Sequence, residues 1–215
     1  MDGVHDLGGV EGFGPVAHHV DTDIYKPVFS ESWEHLPYTL AFVAFGPTQL
    51  FSLDEARYAT ERIAPVQFMG MGYWDRILTS VITLYMEKGV ITKEELEEAA
   101  DGAVPVAMTR AVPGRQARPA GNGYQVGDKI RVRNEHVSGH VRAPGYTSGK
   151  RGTIVHRTTK AFPFPDSAGH AMPAETEPTY HVRFENCELW GQGAGHGAVY
   201  VDLWQSYLES DFSES

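Results

Sequence analysis

Apolar side chains recur at helical spacing through the first half of this chain and at alternate positions through the second, which predicts helices followed by strands. In "TQLFSLDEARYATERI" Ser52 stands three residues before Glu55, the spacing of a capping box. Leu53, Ala56 and Ile63 follow, so a short helix is expected from residue 53. Trp74, Ile77, Leu78, Val81, Ile82 and Tyr85 line one face of a longer helix, and Lys88 and Gly89 supply a basic last turn and a glycine stop. Thr92 and Glu95 repeat the capping box, with Ile91 and Leu96 placed as a hydrophobic staple, so another helix is expected over 93–100. "SESWEHLPYTLAFVAF" begins one more. Downstream the period shortens to two: "YQVGDKIRVR" sets Ile130 and Val132 between charged neighbours, and "RGTIVHR", "TYHVRF" and "VYVDLW" alternate in the same way.

The two patterns are separated by "DGAVPVAMTRAVPGRQARPAGNG", where three prolines and four glycines break any period. The expected fold is therefore α+β. A mainly helical domain over 31–101 is followed by a linker over 102–123. A small SH3-like antiparallel β-barrel over 124–215 completes the chain, with closure hiding the strand edges. Residues 1–30 contain seven glycines and prolines and no sustained period, and read as an extended arm that needs another surface to order it.

Charge sharpens the division. The net charge is −10, yet residues 1–101 carry 6 basic and 17 acidic side chains, or −11, and residues 102–215 carry 12 and 11, or +1. An acidic first half repels phosphate backbones, which argues against nucleic acid as a partner. Arg131, Arg133, Lys150, Arg151 and Arg157 lie in or near strands, so a freestanding SH3-like binding module is the rival reading, but they form no clear electrostatic stripe. A single cysteine, Cys187, excludes an intrachain disulfide framework and fits a reducing compartment. No apolar run approaches a membrane span, and the N-terminal residues lack the basic and apolar regions of a signal peptide, so a soluble cytoplasmic protein is expected.

Candidate chemistry within the chain is sparse. Ten histidines are scattered through the chain and His18 and His19 are adjacent, which makes no convincing ligand set. Asp21 and Asp23 offer too few oxygens for a hard cation, and "GGVEGFG" lacks the strand, helix and Lys-Ser/Thr of a phosphate loop. Cys187 in "FENCELWG" has no basic setting that would make it a nucleophile. Two arginines remain. Arg57 has Asp54 three residues before it and Glu61 four after it, so an ion-pair ladder on the helix face is a sufficient structural explanation. Arg142 lies in "HVSGHVRAPGYTSGKRGTIVHR", between Gly139-His140 and Pro144-Gly145-Tyr146. That setting either holds a guanidinium rigidly for an anion or is an ordinary loop.

At these residues the chain resembles the β subunit of nitrile hydratase, from end to end. "MDGVHDLGGVEGFGPV", "WEHLPY", "SLDEARYATER", "GHVRAPGY", "HRTT", "FPFPD", "PTYHVRF", "ELWG" and "VDLWQSYLE" follow in that family's order. The resemblance implies a nitrile-to-amide hydration at a low-spin iron(III) or non-corrin cobalt(III) centre. That centre is held by a cysteine cluster of a partner α subunit, in an αβ heterodimer or α2β2 assembly, with no metal in this chain. It further implies that two partner cysteines are oxidised to sulfinic and sulfenic groups, and that β-subunit arginines donate to their oxygens. Matched motif to motif, those arginines are Arg57 and Arg142. The pocket tyrosine is Tyr73 of "MGMGYWDR", whose plain alternative is packing at a helix start. Many relatives carry an aromatic residue one turn later, where this chain has Ile77, so pocket shape is not carried over. "VHDLGG", "HRTT" and "FPFPDSAGH" resemble iron-type β subunits more closely. A metal-delivery accessory protein of nitrile hydratase would share the barrel, but the full-length match favours the catalytic β subunit.

Overall fold

The computed structural model of the chain describes residues 3–6, 28–104, 109, 111–119 and 121–211. The arm expected over 1–30 lies largely outside them, with His18, His19, Asp21, Asp23 and "GGVEGFG", and the linker expected over 102–123 lies partly outside. The chain divides into two compact units. One is Leu7–Arg110, and the other joins Met1–Asp6 to Ala111–Ser215.

In the first unit a 3-10 turn, Ser32–Glu34, leads into α1 (His35–Phe45), where Pro37 is tolerated because the first turn has no internal partner for an N–H at that position. Helix α2 (Leu53–Glu61) starts where the capping box predicts: Glu55 N–H donates to Ser52 Oγ at 3.1 Å, and Ser52 N–H donates to Glu55 Oε2 at 2.7 Å. A short α3 (Pro65–Gly70), opened by a proline, has no counterpart in the apolar period. Helix α4 (Tyr73–Glu87) carries the long apolar stripe and stops at Gly89, whose φ of 71° is a left-handed conformation cheap for glycine. Helix α5 (Lys93–Ala99) begins at the second box, with Glu95 N–H donating to Thr92 Oγ1 at 3.1 Å. Ala41, Ala44, Phe51, Ala59, Val81 and Leu84 form the core of this unit. Burial of a side chain the size of Val81 or Leu84 is worth about 1.5–3 kcal/mol. Thr60 and Ser80 hydroxyls meet at 2.8 Å across α2 and α4, Arg62 pairs with Glu87, and Lys88 pairs with Glu55.

The second unit is an antiparallel sheet of β1 (Lys129–Val132), β2 (Arg151–Pro163), β3 (Thr176–Glu185), β4 (Ala198–Trp204) and β5 (Leu208–Ser210), in the order β4-β3-β2-β1-β5. Two short helices, α6 (Pro165–Ala168) and α7 (Asn186–Trp190), interrupt it. Ile130, Ile154, Tyr180, Val182, Phe184, Leu203 and Leu208 point inward as the alternation predicts. The barrel closure expected from the sequence is not made: β4 and β5 are the two edges and do not pair. They are nonetheless joined by only the 3-10 turn Gln205–Tyr207. Five flat strands would hold the edges roughly 19 Å apart, whereas a 3-10 turn of that length advances about 6–8 Å. The sheet must therefore curl until its edges approach. Register shifts between Ile154 and His156, and between Arg157 and Ala161, add local bends to the long β2 strand.

Candidate functional site

Each unit carries one of the two arginines. Arg57 lies in the middle of α2, and its Nη1 donates to Asp54 Oδ1 at 2.8 Å. Of the two acids on that helix face, Asp54 is the one it meets. The Arg57 side chain is 40% exposed, so this pair is worth under about 1 kcal/mol, and most of its five N–H donors are left available. Tyr73 is the first residue of α4, with Gly72 as N-cap. Its ring leans edge-on against Trp74, yet the residue is 66% exposed, and its hydroxyl has no hydrogen-bond partner among the described residues. Packing at a helix start therefore accounts for little of it. Ile77, a turn further on, is part-buried against the helical core. No hydrogen bond joins Arg57 to Tyr73.

Arg142 occupies the irregular segment between β1 and β2, and its surroundings are ordered by buried polar chemistry. Arg142 N–H donates to the Tyr207 hydroxyl at 3.0 Å, and that hydroxyl donates to Asp166 Oδ1. Asp166 Oδ2 accepts from Arg115 Nε at 2.6 Å. Arg115 and Arg118 both reach Glu135 Oε2, and the Arg115 guanidinium lies over the Tyr207 and Phe164 rings. Two residues before Arg142, His140 N–H donates to His170 Nε2 at 3.0 Å. Three residues after it, Gly145 N–H donates to Asp6 Oδ2 at 2.9 Å. The approach is close enough to require glycine: a Cβ on Gly139 would stand 2.6 Å from the His170 ring, and one on Gly169 would stand 2.6 Å from the His140 ring. The turn that bears Tyr207 is itself held, since the Ser206 N–H and hydroxyl both donate to the buried Glu177 carboxylate.

Electrostatics follow burial. Burial raises the Asp166 carboxyl above its ordinary range, against the opposing pull of the Tyr207 hydroxyl and Arg115. Burial, reinforced by Asp166, holds the Tyr207 phenol well above its ordinary value, so it stays protonated and available as a donor. Glu177 is raised by burial as well.

Against this ordered backbone, the Arg142 guanidinium has no hydrogen-bond or ion-pair partner among the described residues. Two cavities flank the segment. One of about 220 Å³ is walled by Arg115, Val141, Ala143, Pro144 and Tyr207, and one of about 670 Å³ by Arg115, Arg118, Glu135, His140, Asp166 and His170. Arg142 lines neither. Sequence reading missed Tyr207, Asp166, Arg115 and His170. Asp166 and His170 lay inside "FPFPDSAGH", noted only for its similarity, and nothing in the alternation marked Tyr207 as polar in its role. Among the described residues no group of three or more His, Cys, Asp or Glu side chains is placed to hold a metal ion, and Cys187 is exposed and unbridged.

Fold and site together define a two-unit α+β chain whose arginines and exposed tyrosine offer donors while no metal cluster is formed among its described residues. Residues 1–121 match the N-terminal description of the nitrile hydratase beta subunit, and residues 113–210 match its C-terminal description. The chain belongs to the nitrile hydratase beta-subunit family. It is 48% identical over 210 residues to a nitrile hydratase subunit beta of Rhodococcus erythropolis, covering 97% of this chain and 99% of that one. To a nitrile hydratase subunit beta of Pseudomonas chlororaphis it is 45% identical, covering 97% and 96%. A cobalt-containing nitrile hydratase subunit beta of Pseudonocardia thermophila is 30% identical over 97% of this chain and 96% of its own length.

Proposed function

We propose that this chain is the β half of an αβ nitrile hydratase, and that Arg57 and Arg142 each donate to an oxidised cysteine oxygen of the α subunit. The observation that carries the reading is the contrast at Arg142, whose backbone is bonded from several sides while its guanidinium meets no partner among the described residues. A permanently charged, planar donor held in this way fits a sulfur oxyanion, because such charge-assisted bonds are short and strong and arginine is less strongly hydrated than lysine. Arg57, engaged among the described residues by Asp54 alone, keeps donors for the same purpose.

Helix α1 adds independent support for a partner chain. Apart from His35 and Thr39 it is built of apolar and aromatic residues, and Leu36, Tyr38, Phe42 and Val43 remain exposed. A helix of that kind is stable when covered on every side.

In the assembled enzyme an iron(III) or cobalt(III) centre of the α subunit supplies the polarisation of the nitrile or the activation of water. The work of this chain is positional. Its arginines hold the oxidised oxygens, the Tyr73 hydroxyl donates to the nitrile nitrogen or to a water beside it, and its surface excludes bulk solvent while hydration gives an imidate that tautomerises to the amide. We favour iron on the resemblance of "VHDLGG", "HRTT" and "FPFPDSAGH" to iron-type subunits. The compact strand-bearing half keeps the SH3-like assignment, the assembly is an αβ heterodimer or α2β2, and the compartment is the cytoplasm. Among the described residues no helix is long and apolar enough to cross a membrane.

The test separates the two halves of the enzyme. The chain expressed alone is expected to bind no stoichiometric transition metal and to form no amide from a nitrile, and addition of the α subunit is expected to restore both. One tightly bound metal equivalent with activity in the isolated chain would overturn the division of labour.

A further inference from the structure

Tyr207 is separated from Arg142 by 65 positions in sequence, and its hydroxyl touches the backbone of Arg142 rather than its side chain. An amide N–H only donates, so the phenolic oxygen must accept from it. The phenolic proton is then directed to its other hydrogen-bond partner among the described residues, Asp166 Oδ1. Asp166 is fully buried and is oriented by Arg115 through its second oxygen, and Arg115 is in turn held by Glu135. Each donor and acceptor in this relay has one sensible direction.

We propose that Tyr207 is a positioning residue for Arg142. Its hydroxyl, oriented by the Asp166–Arg115 pair, ties down the Arg142 amide and thereby sets the direction in which the guanidinium leaves the chain. The other ties on this segment do not replace it, because His170 holds His140 and Asp6 holds Gly145, so the three bonds fall at three different residues. Loss of the middle one frees the peptide that carries the arginine while leaving the flanks in place. The inference rests on the donor role assigned to Arg142 above. It goes beyond that role in naming the group that holds the donor in register, far from any contact with substrate.

Tyr207→Phe keeps the ring and deletes only the relay. In the αβ complex it is expected to lower kcat about tenfold with KM nearly unchanged. Amide exchange at Arg142 is expected to accelerate at least about tenfold, while exchange in the β3–β4 ladder, at Val182 for example, stays as in wild type. Combined with Arg142→Lys, it is expected to cost no further turnover beyond the lysine variant alone, because two changes acting through one group are not additive. Should the phenylalanine variant fail to assemble, Asp166→Asn interrupts the same relay from its other end, and the same acceleration at the Arg142 amide is expected. Unchanged exchange at Arg142, or multiplying losses in the double variant while Arg142→Lys is slow, would overturn the positioning role. Full turnover in Arg142→Lys would instead overturn the donor role on which it rests.

Discussion

Arg142→Lys and Arg57→Lys are each expected to fold, join the α subunit and turn over nitrile at least about tenfold more slowly than wild type, a loss of about 1.4 kcal/mol in transition-state stabilisation. Lysine keeps the charge but replaces a planar fork by a point donor on a flexible stem, so an oxyanion is attracted without being oriented. At Arg142 the loss should be the cleaner of the two, because no competing partner is present among the described residues to absorb the change. At Arg57 the Asp54 pair would tolerate lysine, and loss of that pair alone would alter stability by well under about 1 kcal/mol. The measurement is turnover, metal content and partner cysteine oxidation in the same purified complexes. Wild-type turnover in both variants with metal and oxidation unchanged would falsify the donor role. Slow turnover accompanied by lost metal or lost oxidation would transfer the role from catalysis to maturation of the centre.

Local chemistry was legible in the chain wherever a few neighbouring residues decide the outcome. Ser52 with Glu55, and Thr92 with Glu95, begin helices because each pair satisfies orphan N–H groups without help from elsewhere. The stripe from Trp74 to Tyr85 forms α4 for the same local reason. Helix α3 was not legible, since six residues opened by Pro65 and closed by Gly70 contain too few turns to show a period. The far end of β2 escaped as well: residues from Thr158 to Pro163 are mostly exposed on both faces, so no alternation reveals a strand that exists through pairing with β3. Closure of the barrel was over-read from strand number, because alternation says which face is buried and nothing about whether the two edges meet. The site divides likewise. Arg57, Arg142 and Tyr73 came from the motifs of a family, whereas the relay through Tyr207, Asp166 and Arg115 joins residues 41 and 51 positions apart and has no local signature.

Asp166→Ala is expected to destabilise the strand-bearing unit by about 3 kcal/mol, because it strips the acceptor from a fully buried tyrosine hydroxyl and from a part-buried arginine at once. Asp166→Asn should cost less, since its amide oxygen can still accept from the charged Arg115 while the Tyr207 hydroxyl loses its acceptor, and it exposes the linkage to pH. Burial raises the folded-state carboxyl of Asp166 above its unfolded value, so the folded chain takes up a proton more readily than the unfolded one. The contribution of that group is fully present below the unfolded pKa and is lost as pH rises through the higher folded value. Glu177, raised by burial and further by the Asp166 charge, adds a slope in the same direction that Asn at position 166 weakens without removing. Urea unfolding of the purified complex across a series of pH values from neutral into the carboxylate range should therefore show the gap between wild type and Asp166→Asn widening as the solution is acidified. A gap that narrows on acidification would mean that pairing with Arg115 outweighs burial and holds the carboxyl ionised. The Tyr207 hydroxyl would then be oriented by a full negative charge throughout the working range of the enzyme.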